Sequence, residues 1–324
     1  KLGEPRAPVK IDVGKPPVVM FSDLAQRYID AKAPNDSDDV HSKRQKSCAM
    51  FLKVNGDKPI GDYDKLHMIE MARFMDHDED GKQWGNATIK NYVSYTKQAF
   101  DYAGEIRGAD GKVLLPHHPM HEFKLSGYGR KRQSYLPFKP NELMDLFRLD
   151  MPYEDRLLLA ILTTTGMRLD EAALMTYERV IDHEGVLSFC LVPDAATDEE
   201  IKVKNEQSMR YIPVPEIIRP MLGNFGEGRL FSYRIDSEGK AENAASKALM
   251  RHIRQITDTP RKAVHSLRGT LKDLVRDSGV SKEINDFISG HGQGDVSGDR
   301  YGDGPSMKVR KQVLDGIKHP WLKP

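Results

Sequence analysis

The sequence predicts a mainly α-helical protein of two domains, with one small antiparallel sheet confined to the second. Three observations predict it. The chain has 324 residues, more than the roughly 250–300 at which single hydrophobic cores stop growing. Residues 21–125 space their apolar side chains at the helical period. Strand-like runs occur only between residues 186 and 214. Composition excludes several classes. A 39% hydrophobic share can fill ordinary cores, so wholesale disorder is excluded. No apolar run approaches the roughly 18 residues of a membrane span; the longest clean one is Leu157–Leu162. No signal peptide opens the chain, and its first residue is Lys1 rather than Met, so upstream residues are expected to have been removed. Cys48 and Cys190 lie far apart in no metal or redox spacing, which suits a reducing cytoplasm and excludes a disulfide scaffold.

Taken in order, residues 1–18 are rich in Pro and Lys without helical period and read as an extended arm. Residues 19–125 read as a helical domain. Ser22 is placed to cap a first helix containing Leu24, Tyr28 and Ile29. After an acidic loop at Asn35–Asp39, a second helix spans about 40–54, with Met50, Phe51 and Val54 apolar and Lys43, Arg44 and Lys46 on the other face. Asn55-Gly56 stops it. Residues 64–75 repeat the period through Leu66, Ile69, Met71 and Phe74. Asn86 or Thr88 is placed to cap a fourth helix, which buries Ile89, Val93, Ala99 and Phe100 and leaves Lys90 and Lys97 outside.

Residues 126–136 form a boundary, where Gly127 and Gly129 loosen the backbone and Arg130, Lys131 and Arg132 concentrate charge. A second domain covers 137–324. Asn141 caps a helix through Leu143, Leu146 and Phe147, residues 154–165 form an apolar helix ending at Gly166, and another helix runs from Leu169 to about Thr176. Strand-like runs follow at 186–192, 200–204 and 209–214, the last two forming a hairpin. Helices are expected again at 242–257, 267–278, 281–288 and 307–318.

The net charge of +1 conceals an uneven distribution. Residues 1–136 carry 22 Lys and Arg against 19 Asp and Glu, residues 137–250 carry 13 against 20, and residues 251–324 carry 14 against 9. The last quarter is therefore basic, and fields act locally because salt screens beyond about 8–10 Å. The acidic middle counts against one uniformly basic groove.

Three segments carry chemistry. In Thr165-Gly166-Met167-Arg168-Leu169-Asp170-Glu171, Gly166 breaks a helix, Arg168 starts the next, and Glu171 lies three residues on, on the same side. In His265-Ser266-Leu267-Arg268, imidazole and guanidinium face one way if a helix begins there. Gly290-His291 is followed ten residues later by Tyr301, within a glycine-rich stretch. That stretch is not a phosphate loop, because no Gly-Lys-Ser/Thr follows and helix rather than strand precedes it. Singly these patterns suit structural ion pairs and surface loops as well as they suit a site.

Together and in this order, with a strand-borne lysine between the first and second, they resemble the tyrosine recombinase family, the phage integrases and their Cre- and Xer-like relatives. The resemblance covers the whole second domain; the first looks like the family's helical core DNA-binding domain on a looser signature. It implies a helical core-binding domain joined to an α+β catalytic domain. It implies that Arg168 and Arg268 hold the scissile phosphate, each presenting a planar fork of donors. Of His265 and His291, one helps deprotonate the nucleophile and the other hydrogen-bonds the phosphate. Lys204, just before the hairpin turn, is the general acid for the departing 5′ oxygen, with Lys202 as the alternative. Tyr301 is the nucleophile, and it needs activation because a phenol titrates near 10. Glu171 orients Arg168. Neither metal nor other cofactor is implied. Two features depart from the family: the Gly-His to Tyr spacing is one residue longer than usual, and Ser289 stands where Leu is usual.

The expected partner is double-stranded DNA, gripped by Lys43, Arg44, Lys46, Lys90 and Lys97 and by the strap Arg130, Lys131 and Arg132, with most contacts to phosphates. Solvated helix faces are the plainer alternative for those side chains. The terminal helix at 307–318 packs on its own domain or docks on a neighbouring protomer, as in relatives that form tetramers on two duplexes; accessory proteins are possible partners. The expected location is cytoplasmic. Asp295, Asp299 and Asp303, and His117, His118 and His121, are ligand-like sets that read better as a solvated loop and a satisfied loop. Two rivals remain: a type IB topoisomerase-like enzyme, and a non-catalytic DNA-binding protein keeping the fold.

Overall fold

The computed structural model describes residues 18–77, 81, 83–108, 110–118, 124–193, 209–224, 226–290 and 304–322. Among the described residues the protein is mainly α-helical with one three-stranded antiparallel sheet. It divides into two units, residues 1–132 and 133–324.

Among its described residues the first unit holds four α-helices: α1 (Phe21–Lys32), α2 (Asp38–Asn55), α3 (Lys65–Asp76) and α4 (Asn86–Glu105). Three starts differ from the sequence expectation. Ser22 lies inside α1, not at its cap, because its amide and hydroxyl donate to Asp57 at 3.0 and 2.7 Å. α2 begins two residues early: the Ser37 hydroxyl accepts from the amide of Val40, and Asp38 and Asp39 of the expected acidic loop join the first turn, beside the positive helix end. Neither Asn86 nor Thr88 caps α4; Gly85 stands there, and the Asn86 amide donates to the carbonyls of Leu125 and Tyr128, at 2.6 Å each. The buried faces meet in an aromatic cluster of Phe21, Phe51, Tyr63 and Phe100, with Phe21 4.7 Å from Phe51 and 5.1 Å from Phe100 between ring centroids.

Gly129 corrects the reading of a loosened linker. Its amide donates to Asp76 at 2.6 Å, Arg130 exchanges backbone hydrogen bonds with Trp84 and Asn86, and its φ is +75°. A Cβ there would meet Ile89, Asn86 and Trp84 at 2.7–2.8 Å. Glycine is needed for close approach, so the segment to Arg130 is stitched onto the start of α4.

The second unit contains α5 (Pro140–Arg148), α6 (Tyr153–Thr165), α7 (Leu169–Ala173), β1 (Val180–His183), β2 (Val186–Cys190), β3 (Tyr211–Pro213), α8 (Glu242–Ile256), α9 (Val264–Asp277), α10 (Lys282–Ser289) and α11 (Met307–Gly316). α6 runs through the core, buried from Leu157 to Thr165, with α9 packed against it. Lys139 rather than Asn141 precedes α5, its amide donating to Glu142 at 2.8 Å. β1 pairs with β2 through Val180↔Phe189 to His183↔Val186, and β2 with β3 through Phe189↔Ile212. β1 was not expected. Its signal is Val180-Ile181 followed by a two-residue turn, Glu184-Gly185, with φ of 53° and 75°, the mirror-image turn that suits strand twist. The expected strand at 200–204 lies outside the described residues. α7 ends at Ala173, shorter than expected, because Met175 and Thr176 turn away to exchange backbone contacts with Leu230 and Arg229. α11 packs on β2 and β3 of its own unit, burying Met307 and Leu314.

Candidate active site

Gly166 ends α6 in the left-handed conformation, φ +65°, which redirects the chain so that Arg168 stands at the cap of α7. Glu171, one turn on, reaches back: its Oε2 accepts from the Arg168 amide at 2.9 Å and its Oε1 from Arg168 Nη1 at 2.6 Å. α9 starts at Val264, earlier than expected, so His265 lies in its first turn and Arg268 one turn on, on the same side. His265 is exposed, its ring 5.4 Å from that of Tyr135. Arg268 is buried; its Nη1 donates to the carbonyl of Gly166 at 2.5 Å and its Nη2 to that of Gly290 at 3.5 Å. Arg168 Nη2 donates to the same Gly290 carbonyl at 3.3 Å. Two guanidiniums from separate helices therefore converge on the residue that precedes His291.

A third guanidinium stands behind them. Arg210, just before β3, donates to Glu171 Oε2 at 3.1 Å and Oε1 at 3.5 Å, with both side chains almost wholly buried. Sequence reasoning missed it. The available signal was parity: Arg210 is two residues from the core residue Ile212, so it faces inward on an extended segment. Two guanidiniums, those of Arg168 and Arg210, share one buried carboxylate. Burial raises the Glu171 carboxyl, but the Arg210 charge and the bonds from Arg168 outweigh it and hold it below its usual range. Burial pulls Arg268 down to about 9, and repulsion from Arg210 and Arg168 adds to the effect. Among the described residues the cluster holds more positive than negative charge, an excess that an anion would relieve.

Gly290 ends α10 at φ +59°, and a Cβ there would lie 2.7 Å from Arg210 Cζ. Past the undescribed stretch, a Cβ on Gly304 would lie 2.5 Å from the Phe287 ring. Arg310 reaches back to the Pro305 carbonyl at 2.7 Å, over the same ring. The described residues on both sides of 291–303 are thus fastened to α10. Lys204, its alternative Lys202, His291 and Tyr301 lie outside the described residues, as do Asp295, Asp299, Asp303 and His121.

The expected DNA-contacting side chains fall into two groups. Lys46, Lys90, Arg130, Lys131 and Arg132 are exposed. Lys43 is exposed and pairs with Asp39, and Lys97 is half-buried against Asp101. Arg44 corrects the expectation, since it is turned inward. Its guanidinium is bonded to both oxygens of Asp36, to Gln98 at 2.7 Å and to the Tyr28 hydroxyl, and it lies 5.2 Å from the Tyr95 ring centroid. His118 bonds Asp101 at 2.8 Å while His117 stays largely outside. No group of three or more His, Cys, Asp or Glu among the described residues is arranged to hold a metal ion. No helix among them is long and apolar enough to cross a membrane.

No family model matches the chain, and no curated protein matches it. Solved structures do. The chain is similar to the Tn1549 transposon integrase in complex with transposon right end DNA, at 18% identity and a TM-score of 0.61, over 83% of this chain and 91% of that one. It is similar to a lambda integrase tetramer bound to a Holliday junction, at 14% identity and a TM-score of 0.64, over 93% and 85%. A lambda integrase dimer bound to a COC′ core site matches at 14% identity and a TM-score of 0.62, over 88% of this chain and the whole of the other. The fold is that of the tyrosine recombinase integrases.

Proposed function

We propose that this protein is a site-specific DNA recombinase that cleaves and rejoins DNA through a 3′-phosphotyrosyl intermediate. The observation that carries the reading is the convergence of Arg168 and Arg268 on the Gly290 carbonyl, in a cluster that among the described residues holds more guanidinium than carboxylate. A phosphodiester oxygen between those two forks would receive charge-assisted hydrogen bonds that strengthen as charge builds on five-coordinate phosphorus. In this reading the Tyr301 oxygen attacks phosphorus, the bond to the 5′ oxygen breaks, and the phenol's proton is balanced by protonation of the departing oxygen. His265 and His291 share phenol deprotonation and phosphate hydrogen bonding, and Lys204, or Lys202, is the general acid. The diester's energy is kept in the tyrosyl bond, so rejoining needs no ATP. No step calls on a metal, and activity is expected to persist in EDTA.

Double-stranded DNA is the proposed substrate, and exposed Lys43, Lys46, Lys90, Arg130, Lys131 and Arg132 are the proposed backbone contacts. The similar structures are integrases on DNA, one of them a tetramer on a Holliday junction, which supports a tetramer here. A nicked suicide substrate tests the chemistry. The protein is expected to form an adduct that survives SDS, and Tyr301→Phe to bind DNA but form none. An adduct from the Phe variant, or none from the wild-type chain, overturns the reading. The longer Gly-His to Tyr spacing favours a non-catalytic DNA-binding protein instead, which the adduct decides.

A further inference from the structure

We infer that Arg210 is a positioning residue for cleavage, sharing the Glu171 carboxylate so that Arg168 stays aimed at the phosphate. The inference rests on the phosphate-holding role proposed for Arg168. Glu171 is the hub. Each of its oxygens takes one bond from Arg168, through the backbone amide and through Nη1. Arg210 approaches both oxygens from the strand side, leaving Arg168 Nη2 to point to the Gly290 carbonyl. A guanidinium and a carboxylate prefer two parallel bonds, fork to fork. With Arg210 absent, a carboxylate as buried as Glu171 would have one cation left, and Arg168 would turn its whole fork onto it, away from Gly290.

Arg210 also acts on the other wall. Its guanidinium lies flat against Gly290, where only a missing Cβ leaves room. Removing it would loosen the carbonyl on which Arg168 and Arg268 converge. Arg210 itself is well held: its own carbonyl accepts from the Leu191 amide at 2.9 Å, continuing the β2–β3 ladder. One side chain on the sheet thus sets the start of α7 and the end of α10 together. It is not expected to touch DNA, since its side chain is 7% exposed.

The test is single-turnover cleavage of a nicked duplex by the full chain at saturating protein, with DNA affinity and melting temperature measured alongside. Arg210→Met is expected to slow cleavage by about 10–100-fold and to leave DNA affinity within about threefold. Adding Glu171→Gln removes the charge that captures Arg168. The double variant is therefore expected to cleave at least about threefold faster than Arg210→Met alone, a sign opposite to that of two independent losses. If Arg210→Met does not fold, the Met/Gln pair carries the test, because it removes one cation and one anion together and leaves the net charge of the cluster unchanged, and cleavage within about 100-fold of wild type is expected. Three results overturn the inference with the proposed function intact: less than about a tenfold loss in Arg210→Met, a double variant no faster than the single, or, where only the pair folds, a slower rate than that bound. No adduct from the wild-type chain overturns both.

Discussion

Arg44 on α2 and Arg268 on α9 are both arginines turned into a helical unit, yet their surroundings are opposite. Arg44 meets one carboxylate of its own, Asp36, takes two neutral oxygens from Tyr28 and Gln98, and lies against aromatic rings. Its charge is matched and its donors are occupied within the unit. Arg268 is given backbone carbonyls, at Gly166 and Gly290, and the Glu171 carboxylate is divided between Arg168 and Arg210. A buried arginine that stabilises a fold is neutralised locally, because unpaired buried charge is costly. An arginine cluster that holds surplus charge among the described residues makes sense when an external anion completes it. Charge balance, not burial, separates the two roles.

The sharpest way to break the comparison is to delete each cation. Arg268→Ala or Arg168→Ala is expected to lower cleavage by at least about 10²–10³-fold, as for other preorganised donors that meet developing charge. Melting temperature should fall less with Arg268→Ala than with Arg44→Met, because the lost bonds to Gly166 and Gly290 are partly offset by relief of burial and of repulsion from Arg210 and Arg168. Wild-type cleavage by either variant would show that the surplus charge has no catalytic use. Arg44→Met should do the reverse. It strands Asp36, whose side chain is 7% exposed, and is expected to cost about 3–5 kcal/mol of stability. Cleavage per folded molecule should stay near wild type. Chemical denaturation reads the first quantity and adduct formation the second, and a stability cost below about 1 kcal/mol would refute the structural role.

These assignments divide by how far a residue's partners lie along the chain. Helical period placed most of the helices, but the one-turn spacings of Arg168 with Glu171 and of His265 with Arg268 did not single out the two arginines; only the order of all the motifs, through its resemblance to the tyrosine recombinase family, did. Arg210 could not be chosen this way: its partner is 39 residues away and its charge resembled that of any strand cation. The meeting of Arg168 with Gly290, 122 residues apart, depends on tertiary packing. Arg44 failed for the same reason. Helical spacing put it beside Lys43 and Lys46, and only the approach of Asp36, Tyr28 and Gln98 from separate segments turned it inward. β1 was overlooked at a two-residue turn whose first residue, Glu184, is an uncommon occupant of positive φ.

Lys43, one residue before Arg44, gives the smallest test and isolates exposure from sequence position. Its ammonium pairs with Asp39 along the helix, and both side chains are about half exposed, 45% and 51%. A pair of that kind contributes little, so Lys43→Ala should change stability by no more than about 0.5 kcal/mol, against the several expected at Arg44. If the side chain leaves Asp39 for a DNA phosphate, the variant should bind all duplexes more weakly by a similar factor, and the slope of log affinity against log salt should fall by about one. A fall in slope from Arg44→Met, or none from Lys43→Ala, would reverse the assignment of the two neighbours. The wet side chain would then be the structural one, and the buried side chain would have to unfold its bonds to Asp36 to reach DNA.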